Sequence, residues 1–134
     1  MIKTQKNMEN TKLISWVLKI AVAGEFIGHG FLAIGGKADW IKWIVQLAGV
    51  STPTATTLLS LVGYSDVLFA VVILIKPIRL VLLWMVFWGF WTALVRPLVG
   101  IGWLDFIERW ANWGSPLALL LLVGWPKQWK EWFK

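Results

Sequence analysis

Glu25 and His29 stand four residues apart, one helical turn, inside Leu13–Ile34, a stretch whose only other polar residues are Ser15 and Lys19. A carboxylate and an imidazole at membrane depth are costly, and residues of this kind mark substrate or proton sites. An imidazole, with an unperturbed pKa of ~6.5, exchanges protons near neutral pH, and a neighbouring carboxylate fixes its tautomer. The chemistry this pair suits is proton handling on a molecule bound beside it.

Polar residues in other apolar stretches fall at similar depth. Counted at ~1.5 Å per residue from the outer end of each span, His29, Glu25, Tyr64, Asp66, Glu108, Arg109 and Asn112 lie roughly 8 to 18 Å down. Asp105, Glu108, Arg109 and Asn112 share one helical stripe, which is expected to face Glu25 and His29 across a bundle. In that arrangement Arg109 or Arg96 pairs with the carboxylates and His29 hydrogen-bonds one of them. Phe87, Trp88 and Trp91 would supply an aromatic wall, although Trp84, Trp88 and Trp91 at helical spacing are more often a packing or lipid-facing ridge. The candidate ligand-binding residues are therefore Tyr64, Asp66, Trp88, Trp91, Arg96, Glu108, Arg109 and Asn112, with Glu25 and His29 as the catalytic pair.

Several chemistries are excluded. The 134 residues include no Cys, which removes thiolate nucleophiles, disulfide exchange, iron–sulfur clusters and Cys–zinc sites. One His is a poor basis for a transition-metal or haem site, so no metal is expected. No Ser–His–Asp set, phosphate loop or zinc spacing is present.

The elements that must position these residues follow from composition. With 58% hydrophobic residues, 15% charged and a mean hydropathy of +0.69, the chain reads as an integral membrane protein. Four stretches reach the ~20 apolar residues a helix needs to cross ~30 Å of hydrocarbon: Leu13–Ile34, Thr54–Ile75, Ile78–Leu98 and Trp103–Trp125. The expected fold is all-α, a single domain forming an antiparallel four-helix transmembrane bundle with short interfacial helices. Many of the twelve Trp, Trp16, Trp40, Trp43, Trp103, Trp125, Trp129 and Trp132 among them, lie near span ends as an aromatic belt.

The net charge of +6 points to anionic lipid rather than nucleic acid, because most basic residues flank the spans. Lys3, Lys6, Lys12, Lys76, Arg79, Lys127, Lys130 and Lys134 fall on one side, against Lys37, Lys42 and Arg96 on the other. The positive-inside rule then puts both termini in the cytoplasm of an inner-membrane protein. Ala21-Val22-Ala23 offers a signal-peptide cleavage pattern, but Lys19 interrupts the apolar region before it and favours a retained span.

Residues 1–12 are expected to be disordered or interfacial, and Gly35-Gly36 ends the first helix. Ala21, Gly24 and Gly28 form a small-residue stripe suited to close helix packing. Asp39 is expected to cap a short helix whose Trp40, Trp43, Ile44 and Leu47 lie on the outer membrane surface. Ser51-Thr52-Pro53 supplies an N-cap and early proline for the second span. The Lys76-Pro77 turn makes the second and third spans antiparallel neighbours, and Arg96-Pro97 ends the third. Pro116 removes the donor for the Asn112 carbonyl and predicts a kink there. Trp125 to Lys134 is expected to form an interfacial helix with Trp125, Trp129 and Trp132 on one face.

Two segments carry a family resemblance. Phe26-x-x-His29-Gly30 followed by Lys37 resembles the opening pattern of DoxX-like membrane proteins. The run from Ala93-Leu94-Val95-Arg96-Pro97-Leu98 to Phe106 through Leu119 is similar to the last loop and fourth helix of that family. Gly24-Glu25 and the abundance of Trp depart from its pattern. The resemblance implies a four-helix membrane subunit, in some members linked to quinone reduction in thiosulfate oxidation. Bundle shape also resembles vitamin K epoxide reductase-like proteins, whose chemistry the absence of Cys removes.

Three uses of the polar cluster remain: a structural lock of compensated ion pairs, a pocket for a polar-headed membrane molecule, and a proton or solute pathway. The last lacks polar steps through the inner half beyond Lys19. The leading expectation is a quinone-interacting subunit of a membrane oxidoreductase, with quinone as the candidate cofactor and electrons supplied by a partner subunit. The rival is a non-enzymatic assembly or stabilising subunit, docking a membrane partner or a second copy through its Gly stripe and Trp belts.

Overall fold

The computed structural model describes residues 1–134 and contains helices and no strands. Its α-helices are α1 (Ile2–Ile34), α2 (Ala38–Ala48), α3 (Thr52–Ile75), α4 (Arg79–Leu98), α5 (Trp103–Ile107) and α6 (Ala111–Val123), followed by a 3-10 helix at Trp129–Phe133. Of these, α1, α3 and α4 are each long and apolar enough to cross a bilayer, which makes this a membrane protein.

The first helix begins eleven residues earlier than its apolar stretch suggests, at Ile2 instead of Leu13. Residues 1–12 carry no Gly or Pro to stop it, and the Thr11 hydroxyl bonds back to the Asn7 carbonyl at 2.8 Å. At ~1.5 Å per residue this helix is longer than the hydrocarbon is thick, so its exposed polar turns stand beyond the apolar layer.

A second difference concerns the short helix α2. Asp39 sits in its first turn, while Lys37 occupies the N-cap position and no side chain caps the helix. Gly36 and Gly49, both at positive φ (71° and 65°), turn the chain into and out of it. Ser51 does cap α3 as its sequence predicts, accepting from the Thr54 amide at 3.3 Å with Pro53 in the first turn.

The Lys76-Pro77 turn joins α3 to α4, yet the two helices touch little: α3 lies along α1, α4 lies along α6, and α1 meets α6. Backbone approach at glycine explains this pairing. A Cβ on Gly63 would stand 2.6 Å from the Gly30 carbonyl oxygen and 2.8 Å from Ile34, and a Cβ on Gly30 would stand 2.7 Å from Val67. Gly30 beside Val67 and Ile34 beside Gly63 also set α1 and α3 antiparallel. Gly89 of α4 packs with equal closeness on the Asn112 carbonyl of α6, with the Trp113 amide 3.1 Å from where its Cβ would be.

That carbonyl is the one Pro116 leaves without a helical donor. Pro116 itself is buried within an unbroken α6, and the irregular stretch lies earlier, at Glu108–Trp110. There the amides of Arg109, Trp110 and Asn112 bond three residues back rather than four. By contrast, Gly24 and Gly28 have open space around them, so the Ala21-Gly24-Gly28 stripe is not a packing surface within this chain.

The closest apolar packing joins Val22, Phe26, Ala70, Ile73, Leu82, Met85, Leu119 and Leu120, all toward the end of the molecule that carries the Lys76-Pro77 turn. Arg79 ties that end together. Its Nε donates to the Gly124 carbonyl at 2.7 Å, and its other nitrogens reach the carbonyls of Val123 (3.1 Å), Lys134 (3.2 Å) and Glu131 (3.3 Å). An interfacial α-helix is not formed beyond Trp125, because Gly124 at φ 107° and Pro126 interrupt it. Trp125 packs edge-on against Trp132 at 5.3 Å, and Trp129 turns instead to Phe133. The Glu131 carboxylate accepts from the Lys127 amide at 2.7 Å, which holds its carboxyl below the usual range.

The glycine contacts predict a sharp contrast. Gly63→Ala should destabilise the protein by about 1–3 kcal/mol, the usual cost of forcing an atom into a filled site. Gly28→Ala, with nothing in the way, should not lower the melting temperature in detergent.

Candidate functional site

Because α3 and α4 are held apart by their separate partners, a cavity of about 230 Å³ remains between them. Leu59, Val62 and Asp66 line it from α3, and Trp88, Trp91, Thr92, Val95 and Arg96 from α4. His29 of α1 reaches its back wall, and Trp40, Trp43, Ile44 and Leu47 of α2 cover one end. The volume is below the ~300–1,000 Å³ typical of drug-sized ligands, so the space suits one ring or a small headgroup.

The covering helix is fastened by aromatic contacts to the polar residues beneath it. The His29 ring meets Trp40 edge-on with centroids 5.6 Å apart, and Lys37 Nζ lies 4.8 Å from the centre of the same indole. The Arg96 guanidinium sits over Trp43 at 5.4 Å, while one of its N–H groups donates to the Thr92 carbonyl one turn back.

Arg96 and Asp66 are nearly inaccessible, at 7% and 3% exposure. Neither has an ion-pair partner, and the Asp66 Oδ1 oxygen has no hydrogen bond at all. Buried charged groups normally come paired, because an unmatched one carries its full desolvation cost. The cavity is therefore apolar in most of its lining, with a guanidinium, an imidazole and a carboxyl group whose Oδ1 has no partner.

The structure gathers His29, Asp66, Trp88, Trp91 and Arg96 around this one cavity and leaves the other candidates outside its lining. Glu25 lies one turn from His29, its carboxylate 4.0 Å from Nδ1, too far for the expected hydrogen bond. Tyr64 is 62% exposed on the outer surface of α3, and Phe87 is likewise exposed. Trp88 stacks on Trp84 at 5.7 Å, so that ridge is packing on one side and cavity wall on the other.

Asp105, Glu108 and Arg109 make no ion pair with Glu25 or His29. Arg109 pairs with Glu108 and, at 3.7 Å, with Asp105, and it donates to the Asp105 carbonyl. Partners on the same turn cost less side-chain and backbone ordering than partners on another helix. Asn112 is taken up by the α4–α6 contact at Gly89.

Trp40, Trp43, Ile44 and Leu47 were readable as an apolar helix face, but not as a cavity wall. Their spacing identifies the face and is silent on what it covers.

Comparison of the chain with known protein families, curated proteins and solved structures gives no match.

The ion pairs of Arg109 are local and partly exposed, and such pairs are worth roughly 0–1 kcal/mol. Arg109→Gln should therefore cost less than about 1 kcal/mol in reversible unfolding, rather than the ~3–5 kcal/mol of a broken buried bridge.

Proposed function

We propose that this chain is a DoxX-like inner-membrane protein that binds the head of a quinone-like amphipathic molecule in the cavity between α3 and α4. Its role is that of a quinone-interacting subunit of a membrane oxidoreductase, with electrons delivered by a partner. The observation that carries this reading is a buried acid and a buried guanidinium without ion-pair partners, Asp66 and Arg96, in the lining of an otherwise mostly apolar cavity. A lock built from compensated ion pairs would require partners that these two residues do not have.

In this reading α5, the irregular turn and α6 together form the fourth span, since residues 103–123 at ~1.5 Å each reach roughly the ~30 Å of the hydrocarbon layer. Four antiparallel spans put Lys76, Arg79 and the lysines of both termini on one face, which is cytoplasmic by their excess of positive charge. The cavity then lies in the outer half, beneath α2. Arg96 donates to a ring oxygen, His29 exchanges protons near the outer rim, Trp88 and Trp91 hold the ring, and Glu25 stands one turn behind the imidazole.

Two measurements check these assignments. Titration of a short-chain benzoquinone into the purified protein should quench Trp fluorescence saturably, and Arg96→Gln or His29→Ala should weaken the apparent affinity by about tenfold, or ~1.4 kcal/mol. Linear, unsaturable quenching would mean collision only and would remove the binding site. For topology, the Cys-free chain allows single labels: Ser51→Cys should react with a membrane-impermeant maleimide on intact spheroplasts, and Lys130→Cys only after permeabilisation.

A further inference from the structure

Of the polar groups lining the cavity, Arg96 alone carries a charge at every physiological pH. That charge is nearly inaccessible to solvent, and no carboxylate lies within ion-pair distance of it. Asp105 and Glu108, whose charges are felt at Arg96, are both paired to Arg109. The only protein acceptor bonded to the guanidinium is the Thr92 carbonyl, and the Trp43 ring beside it offers a π face but no lone pair. Lys37, against Trp40, adds a second positive charge at the end covered by α2.

Asp66 does not neutralise this end. It stands on α3 beside the Trp88 indole, and Trp88 is eight residues from Arg96 along α4, roughly 12 Å of helix axis. A buried cation without a counterion carries a large desolvation cost, which an anion entering the cavity would offset.

From this geometry we propose that the cavity accepts the carboxylate head of an amphipathic acid, a fatty acid or a compact aromatic acid. The head sits on Arg96, and the hydrocarbon lies against Leu59, Val62, Trp88, Trp91 and Val95. A carboxylate matches the site in charge and in shape. Its single negative charge equals that of one guanidinium, whereas a phosphate dianion brings a charge that Arg96 leaves unmatched. Its two coplanar oxygens meet the guanidinium fork side by side, and it is small enough for a cavity of about 230 Å³. The helices that supply most of the lining, α3 and α4, make little contact with each other, so a chain longer than the cavity can run out between them.

This ligand class rests on the cavity being a binding site, as in the functional reading above, and goes beyond it. A neutral ring oxygen accepts a hydrogen bond from Arg96 but leaves its charge unmatched. The acid is therefore a second ligand, competing with a quinone-like head for the same guanidinium.

The test is calorimetric titration of the protein in phosphatidylcholine nanodiscs, corrected against empty nanodiscs, with octanoate, benzoate and 1-octanol as probes. Wild-type protein should bind octanoate saturably and at least about tenfold more tightly than 1-octanol, the margin of a charge-assisted hydrogen bond. Benzoate binding as well as octanoate would support a compact aromatic acid, and much weaker benzoate binding a fatty acid whose chain leaves the cavity. Arg96→Gln should remove the preference for octanoate without changing 1-octanol affinity, and Arg96→Lys, which keeps the charge but not the fork, should retain part of it. Asp66→Asn should leave octanoate binding unchanged or strengthen it, because Asp66 contributes either a repelling charge or none. Equal affinity of wild type for octanoate and 1-octanol would overturn the proposal, and that comparison stands even if Arg96→Gln does not fold. So would an octanoate preference that survives Arg96→Gln or is lost in Asp66→Asn. Octanoate binding without benzoquinone binding would remove the quinone reading and keep the acid site; benzoquinone binding alone would do the reverse.

Discussion

Two places where helix backbones meet without intervening side chains govern this protein. Gly30 against Gly63 draws α1 and α3 together, and Gly89 against Asn112 does the same for α4 and α6. In lipid there is no hydrophobic gain from bringing one apolar helix against another, so close packing decides which helices pair. The strongest contacts therefore run within these two pairs, and α3 and α4, although joined by a turn of very few residues, are left apart. The cavity is the consequence of that separation.

The proline at 116 belongs to the same arrangement. By removing an amide it frees the Asn112 carbonyl, and the Gly89 backbone is the surface that comes to rest on it. A side chain at position 89 would displace the helix and uncover a buried acceptor. Proline and glycine on different helices thus act as one feature, and the helix continues unbroken through Pro116.

The two ends of the molecule are finished differently. Near the Lys76-Pro77 turn, side chains fill the space between helices, and Arg79 collects the carbonyls left open at the end of α6 and in the tail. Near Arg96, a buried carboxylate oxygen of Asp66 has no partner, and a helix set between two glycines in left-handed geometry covers the cavity. Packed side chains fill the first end, and the second keeps a cavity with one unpartnered carboxylate oxygen.

Much of the architecture follows from local rules that need no tertiary context. Hydropathy and length locate the three membrane-crossing helices, Gly35-Gly36 ends the first, Ser51 caps the third, and the spacing of Trp40, Trp43, Ile44 and Leu47 marks an amphipathic face. The start of α1 was hidden because polar residues continue a helix as readily as apolar ones when nothing interrupts it. Depth along each span put His29 and Asp66 in one broad band in the outer half, but depth carries no information about rotation or pairing. Only the tertiary structure turned Tyr64 outward, kept Arg109 with its own turn, and brought Asp66 and Arg96 to one cavity. The reason is physical: a helix fixes which residues share its face, whereas the neighbour that face meets is chosen by where two backbones can approach, and in this chain that choice rests on Gly30, Gly63 and Gly89.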